Sequence, residues 1–253
     1  MARAELLEIS DLIVDFDAET LARVPVVKQS VIDKLNSVGD RRAAKIVAAM
    51  PASGGVLDAE FVDQLLVRVH CEMQRLSEEF QHGRRVFQLL RSMLTALANS
   101  GVKPPFRVVD IGCGTGFVIR WLAAHAKFDF DVELLGVDFN RALINEARRL
   151  ADIEQLSCKF EVANAFELDE PLTVALSTGV LHHFRDEALV SFFRQHDQAS
   201  TQAFIHFDFQ PTVLALPGAW MFHYIRMREP LSRHDGVVSA CRAYTAATLL
   251  ALT

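Results

Sequence analysis

The sequence predicts an α/β fold: a doubly wound, mostly parallel sheet preceded by a helical extension. Three observations lead there. The hydrophobic period changes at NSGVKPPF (Asn99–Phe106), where Gly101, Pro104 and Pro105 stop a helix and start an extended chain. Beyond that loop, short apolar runs alternate with stretches of helical period, the pattern of a parallel sheet covered on both faces. The first run continues as VVDIGCGTG (Val108–Gly116), a carboxylate and then glycine at every second position, leading directly into a helix.

Before the loop everything reads as helix, with breaks at Gly39 and at PASGG (Pro51–Gly55). Leu57, Phe61, Leu65, Val69 and Met73 recur every four residues and continue through Leu76 and Phe80, an amphipathic stripe. HGRR (His82–Arg85) interrupts it; Val86, Leu89, Leu90, Met93 and Leu97 resume the period. After the loop, RVVDI (Arg107–Ile111) is a buried strand and FVIRWLAAHA (Phe117–Ala126) a helix. ELLGVDF (Glu133–Phe139) and ALINEARRLADI (Ala142–Ile153) repeat that pair. CKFEVANAF (Cys158–Phe166), TVALST (Thr173–Thr178) and AFIHFDF (Ala203–Phe209) supply three more strands, with ALVSFFRQH (Ala188–His196) helical between the last two. The expected division is an N-terminal helical extension or lid over residues 1–100 and a sheet-containing core over 101–253.

Composition narrows the function. The 253 residues are 51% hydrophobic and 23% charged, far from the disordered regime, and the net charge of −6 disfavours a nucleic-acid partner. Cys71, Cys113, Cys158 and Cys241 lie far apart without paired spacing, which suits a reducing cytoplasm and excludes a zinc knuckle or disulfide framework. MARAELLEIS at the start lacks a signal-peptide pattern, and the apolar window Val213–Ile225 is too short to span a bilayer. The expectation is a soluble, cytoplasmic protein with no membrane partner.

A glycine turn between a parallel strand and a helix lets main-chain N–H groups face a ligand without Cβ interference. The alternative is a tight turn that needs glycine only for backbone freedom. The spacing here is G-x-G-x-G, so the dinucleotide fingerprint G-x-G-x-x-G fails at Phe117, and no Gly-Lys-Ser/Thr follows as in a phosphate-binding loop. Asp138 closes the second strand, where a carboxylate can accept from both ribose hydroxyls or cap the next helix.

VVDIGCGTG, GVDFN (Gly136–Asn140), ANAF (Ala163–Phe166) and LSTGVLHHF (Leu176–Phe184) together resemble the motif series of class I S-adenosylmethionine-dependent methyltransferases of the small-molecule type. The resemblance covers roughly Val102–Phe209 and implies a Rossmann-like fold with S-adenosyl-L-methionine as cofactor. It implies that Asp110, Gly112, Gly114 and the backbone of Cys113 line the methionine end. Asp138 would hold the ribose, Phe139 pack on the adenine, and Asn164 with the backbone of Ala165 meet the adenine edge. The carbonyl of Thr178 would meet the methionine ammonium. No phosphate has to be held, and the glycine loop carries no basic residue.

The acceptor then belongs over the ends of the fourth and fifth strands. His182 and His183 follow the fourth, with a pKa suited to taking a proton near neutrality, although such a doublet can also be scaffold. His206 and Asp208 share a face of the fifth strand. His206, the deeper, reads as a core histidine; Asp208 is a base, an orienter of a histidine, or a cap. MREPLSRHDGVVS (Met227–Ser239) is polar and charged: Arg226, Arg228, Arg233, His234 and Asp235 suit an anionic or phenolic acceptor, or the stretch is a solvated loop. Asp208, His206, His182 and His234 could ligate metal chemically, but without a short ligand spacing none is expected.

The expected activity is methyl transfer to a small molecule, at oxygen, assisted by His182 or His183 with Asp208. The alternatives are a cofactor-binding protein without catalysis, and methylation of tRNA or protein, which the acidic balance and the absence of an Asn-Pro-Pro-Tyr-like run disfavour. The resemblance also implies two further strands as a C-terminal hairpin, and none fits after AYTAATLLALT (Ala243–Thr253) unless GVVSAC (Gly236–Cys241) stands in. Strand five would then be an apolar edge, hence an expected homo-oligomer through that edge.

Overall fold

The structure is a computed structural model that describes residues 6–168 and 171–252, so the first half of the MARAELLEIS stretch lies outside the described residues. The chain forms two compact units, one from residues up to Glu72 with Phe209–Leu249, the other from Met73–Asp208 with the last residues. The division expected at residue 100 is therefore not where the compact units part.

The second unit holds the sheet. In chain order the elements of the protein are α1 (Ser10–Ile13), α2 (Lys28–Ser37), α3 (Arg41–Ala48), β1 (Ala52–Ser53), β2 (Val56–Leu57), α4 (Ala59–Glu79) and α5 (His82–Asn99). There follow β3 (Phe106–Ile111), α6 (Phe117–His125), β4 (Val132–Asp138), α7 (Arg141–Ile153), β5 (Lys159–Val162), β6 (Val174–Thr178), α8 (Asp186–Gln198) and β7 (Ala203–Phe207). The last three are α9 (Ala215–Arg226), α10 (Pro230–Arg242) and α11 (Ala246–Leu250).

Strands β3 to β7 make one parallel sheet in the order β5-β4-β3-β6-β7. Because β3→α6→β4 and β4→α7→β5 step toward one edge while β6→α8→β7 steps toward the other, right-handed crossovers put α6 and α7 on one face and α8 on the opposite one. Side-chain alternation sorts the residues accordingly. Phe106, Val108, Leu134, Phe160, Val174, Leu176 and Ile205 pack with α5, α6 and α7; Val86, Leu90 and Leu94 are the α5 contribution, spaced four apart. On the other face His206 meets Phe192 and Phe193 of α8, ring centroids 5.5 and 5.7 Å away. Each fully buried Leu, Ile or Phe contributes roughly 1.5–3 kcal/mol against the entropy of ordering it. HGRR lies in the first turn of α5; the break falls one residue earlier, at Gln81 with φ +54°.

The first unit is helical except at PASGG, where Gly54 and Gly55 take φ of +57° and +82° and close a β1–β2 hairpin. Met227–Ser239 is not a loop: from Pro230, in the first turn, it is α10. Its polar side chains are consumed inside. Asp235 accepts the N–H groups of Ile9 and Ser10 at 2.9 and 2.8 Å, and His234 bridges Asp235 and Asp40 at 2.6 and 2.7 Å. Gly236–Cys241 is helix interior and so does not replace the hairpin. Among the described residues the sheet has five strands, with β7 at an edge.

Gly236 is where α9 reaches α10: a Cβ there would lie 1.9 Å from Cε1 of the buried His223 ring. Gly236→Ala is expected to destabilise by about 1–3 kcal/mol through overpacking, read as a lower urea midpoint; an unchanged midpoint would show that the ring gives way freely.

Candidate functional site

The carboxyl ends of β3, β4, β6 and β7 lie along one edge of the sheet. The strand order reverses between β3 and its neighbours β4 and β6, the switch point where open α/β sheets take ligands. Asp110 is the fifth residue of β3, Asp138 the last of β4, and Thr178 the last of β6. Asn164 and Ala165 follow β5, and Asp208 follows β7 directly.

The turn after β3 is built from left-handed glycines: φ is +69° at Gly112, +56° at Gly114 and +75° at Gly116. The chain itself also needs two of them bare. A Cβ on Gly112 would come within 2.7 Å of Val180, and one on Gly116 within 2.3 Å of Phe160. Backbone conformation and internal packing thus account for Gly116 without any ligand. The N–H groups of Gly112 and Cys113 both donate to the Val137 carbonyl, at 2.8 and 3.0 Å, which ties the turn to the end of β4. Burial holds the Cys113 thiol well above its usual range, so it stays protonated.

Asp138 does more than the sequence suggests. One carboxylate oxygen accepts from Gly114 N at 3.0 Å and the other from Asn140 N at 2.8 Å, so it fixes the glycine turn and the entry to α7. Asn140, not Asp138, is the helix cap, accepting from Ala142 and Leu143 N–H. Beside it Phe139, just past the end of β4, is 48% exposed. Asn164 Oδ1 accepts from Phe166 N at 3.0 Å, shaping the turn after β5.

Asp110 is the electrostatic singularity of the edge. It is 2% exposed, and its Oδ1 is buried without a hydrogen-bond partner. Burial, with the nearby Asp138 charge second, pushes its carboxyl well above the ordinary range. Thr178 Oγ1 is likewise buried and unpartnered. Two orphaned oxygen atoms at adjacent strand ends, one on a carboxyl group, form an electron-rich spot.

Beyond β6 the chain makes a tight turn at Leu181–His183. Asp208 clamps it: Oδ2 accepts the His182 N–H at 2.9 Å and Oδ1 meets His182 Nδ1 at 2.7 Å. His182 is 3% exposed and its ring lies 4.3 Å from that of His183 between centroids. Because an ionised carboxylate only accepts, the Nδ1–H of His182 is the donor of that pair. Asp208 thus touches both the backbone and the ring of His182. His206 is a core residue, as its depth suggests: Nδ1 pairs with Ser177 Oγ at 2.8 Å and Nε2 with His196 Nε2 at 3.0 Å. Burial drives the two imidazoles down to about 3 and about 4, so both are neutral.

Sequence reasoning missed Arg185, just past the histidine turn. Both terminal guanidinium nitrogens are buried without a hydrogen-bond partner. Nothing in its spacing marks it; only the fold removes its solvent.

The domain is thus a parallel α/β sheet with a glycine turn after its first strand, carboxylates on its first two strands and a histidine turn after its fourth. Residues 108–200 match the family described as Methyltransferase domain, and the sheet they lie in is of the Rossmann-like kind. Over 100 residues the chain is 30% identical to cyclopropane mycolic acid synthase 1 of Mycobacterium tuberculosis, covering 39% of this chain and 33% of that one. Cyclopropane mycolic acid synthase 2 of Mycobacterium bovis is 28% identical over 122 residues, 47% of this chain and 36% of that one. The match thus spans about a third of the length of these curated relatives. Magnesium protoporphyrin IX methyltransferase (ChlM) from Synechocystis PCC 6803, solved with bound SAH, is 19% identical over 89% of this chain and 86% of that one, with a TM-score of 0.43. No helix among the described residues is long and apolar enough to cross a membrane.

Proposed function

We propose that the protein transfers a methyl group from S-adenosylmethionine to the oxygen of a small molecule, with His182 as base and Asp208 as the carboxylate that orients it. The observation that carries this reading is the 2.7 Å pairing of His182 Nδ1 with Asp208 at the carboxyl ends of β6 and β7. The cofactor supplies an electrophilic methyl on a sulfonium; the chain supplies alignment, dryness and proton transfer.

Support for the cofactor comes from the orphaned oxygens. A buried carboxyl with an unused lone pair is costly unless it meets a donor or a cation, and the ammonium of the methionine tail is both. Asp110 would pair with that group and Thr178 would accept beside it. Asp138 would accept from the ribose while keeping its hold on Gly114, and Phe139 would cover the adenine. Gly112 and Gly114 leave main chain bare beside the tail, with Cys113, Asn164 and Ala165 shaping the ends of the pocket. His183, its ring tilted against that of His182, would pack the acceptor. The unpartnered guanidinium of Arg185 favours an acceptor bearing a carboxylate or acidic phenol. A homo-oligomer along the β7 edge belongs to the same reading, since Phe204 on that strand is exposed.

The test is labelled methyl transfer from S-adenosylmethionine by the full chain to a panel of phenols, carboxylic acids and amines, with tRNA and protein included. Transfer to acidic hydroxyl-bearing molecules is expected. Cofactor binding with no transfer would leave a binding protein, and transfer confined to tRNA or protein would overturn the acceptor class.

A further inference from the structure

Helix α9 turns a broad apolar face outward. Its inner side carries the partly buried Ala215, Ala219 and Phe222, with the buried His223 wedged onto Gly236. Its outward half-circumference is Leu216, Pro217, Trp220, Met221, Tyr224 and Ile225, residues that share one face at helical spacing. Trp220 is 55% exposed, Tyr224 54% and Ile225 70%, and Val213 and Leu214 extend the patch upstream. Single exposed apolar residues are ordinary on a soluble protein; a contiguous stripe of this width marks an interaction surface.

The border of the stripe says what kind. Trp220 and Tyr224 stack at 5.5 Å, and the Arg233 guanidinium sits over the Tyr224 ring at 5.5 Å. Those three line a cavity of about 250 Å³ with Arg42, and Arg42 continues into a wider groove of about 600 Å³ with Arg41 and Lys45 along α3. Arg41, Arg42 and Lys45 are exposed. Thus, on a chain of net charge −6, one aromatic-aliphatic stripe runs into four cations.

We infer that this face docks onto a bilayer surface carrying anionic lipid headgroups. Tryptophan and tyrosine favour the headgroup level, aliphatic side chains the acyl boundary just below it, and arginine and lysine the anionic phosphates. A second copy of the chain fits less well: a two-fold contact sets each patch on itself and would bring Arg42 and Arg233 against their own counterparts. This departs from the expectation of no membrane partner, which rested only on the lack of a spanning segment; α9 would lie in the interface rather than cross it.

The experiment is cosedimentation of the full chain with vesicles of phosphatidylcholine alone and of phosphatidylcholine mixed with phosphatidylglycerol, at low and high salt. Binding to the mixed vesicles is expected, falling with salt. Each of Arg41→Gln, Arg42→Gln and Lys45→Gln should weaken it roughly fivefold, and the exposed-site changes Trp220→Ala and Ile225→Ser should abolish most of it. In a Trp121→Phe background, where Trp220 is the sole tryptophan, its emission should shift to the blue on binding. No association with either vesicle would overturn the proposal. So would equal association with both, or a dimer in sedimentation that Trp220→Ala dissolves while no vesicle binds.

Discussion

Asp110→Asn is expected to stabilise the cofactor-free protein at neutral pH while weakening its hold on S-adenosylmethionine roughly ten- to a hundredfold. Both effects follow from one buried carboxyl with an unpartnered oxygen. Its folded-state pKa is raised, so across the window from the ordinary carboxylate value of 3.8 upward the folded protein keeps a proton that the unfolded chain has released. Stability therefore falls as pH rises through that window, and it is fully regained only below it. Asparagine carries no ionisable proton and removes the slope. Thermal unfolding from pH 4 to pH 8 should show the variant gaining on the wild type as pH rises. A constant difference would mean that Asp110 does not titrate in that range. The affinity loss reflects the ion pairing in a contact worth about 1.5–3 kcal/mol: an amide oxygen still accepts from an ammonium but brings no negative charge to it. For the same reason the wild-type affinity should tighten as pH rises through the raised pKa, while that of the variant stays flat.

Asp208→Asn should lower kcat by about a hundredfold or more and leave cofactor affinity nearly unchanged. The asparagine oxygen can still accept the His182 N–H, so the turn is held. Its amide nitrogen, however, would face Nδ1 and make that nitrogen an acceptor, moving the ring proton to Nε2 and removing the lone pair that takes the acceptor's proton. His182→Ala should cost about as much, and the double variant little more than either alone, because the pair acts as one unit. Full turnover in Asp208→Asn would remove the dyad from the chemistry. A loss confined to KM would make it part of the acceptor site.

The sheet was legible because parallel strands buried on both faces leave short apolar runs, as at Val108–Ile111 and Leu134–Val137, and because the turn after β3 demands left-handed glycine. Asp138 and Thr178 could be placed at the sheet edge for the same reason, since each ends a strand. What local pattern could not reveal was partnership. His182 and Asp208 stand 26 residues apart, and only the β6–β7 register brings them into contact. Helix α10 was hidden because Ser232, His234, Asp235 and Ser239 face inward, where polarity normally argues for solvent. They are tolerated there because residues remote in sequence, Glu8, Ile9, Ser10 and Asp40 among them, satisfy His234, Asp235 and Ser239. Asp138 was read as a ligand residue, and nothing in the sequence shows that it also braces Gly114. For that reason Asp138→Ala would disturb the turn as well as any ribose contact, and Asp110 is the cleaner probe.

Equilibrium binding of S-adenosylmethionine to the full chain, followed calorimetrically at neutral pH, tests the central claim most directly. One saturable site per chain, with heat that varies with the ionisation enthalpy of the buffer as Asp110 gives up its proton, is the predicted result. Absence of saturable binding, or binding of the same strength in Asp110→Asn, would contradict it.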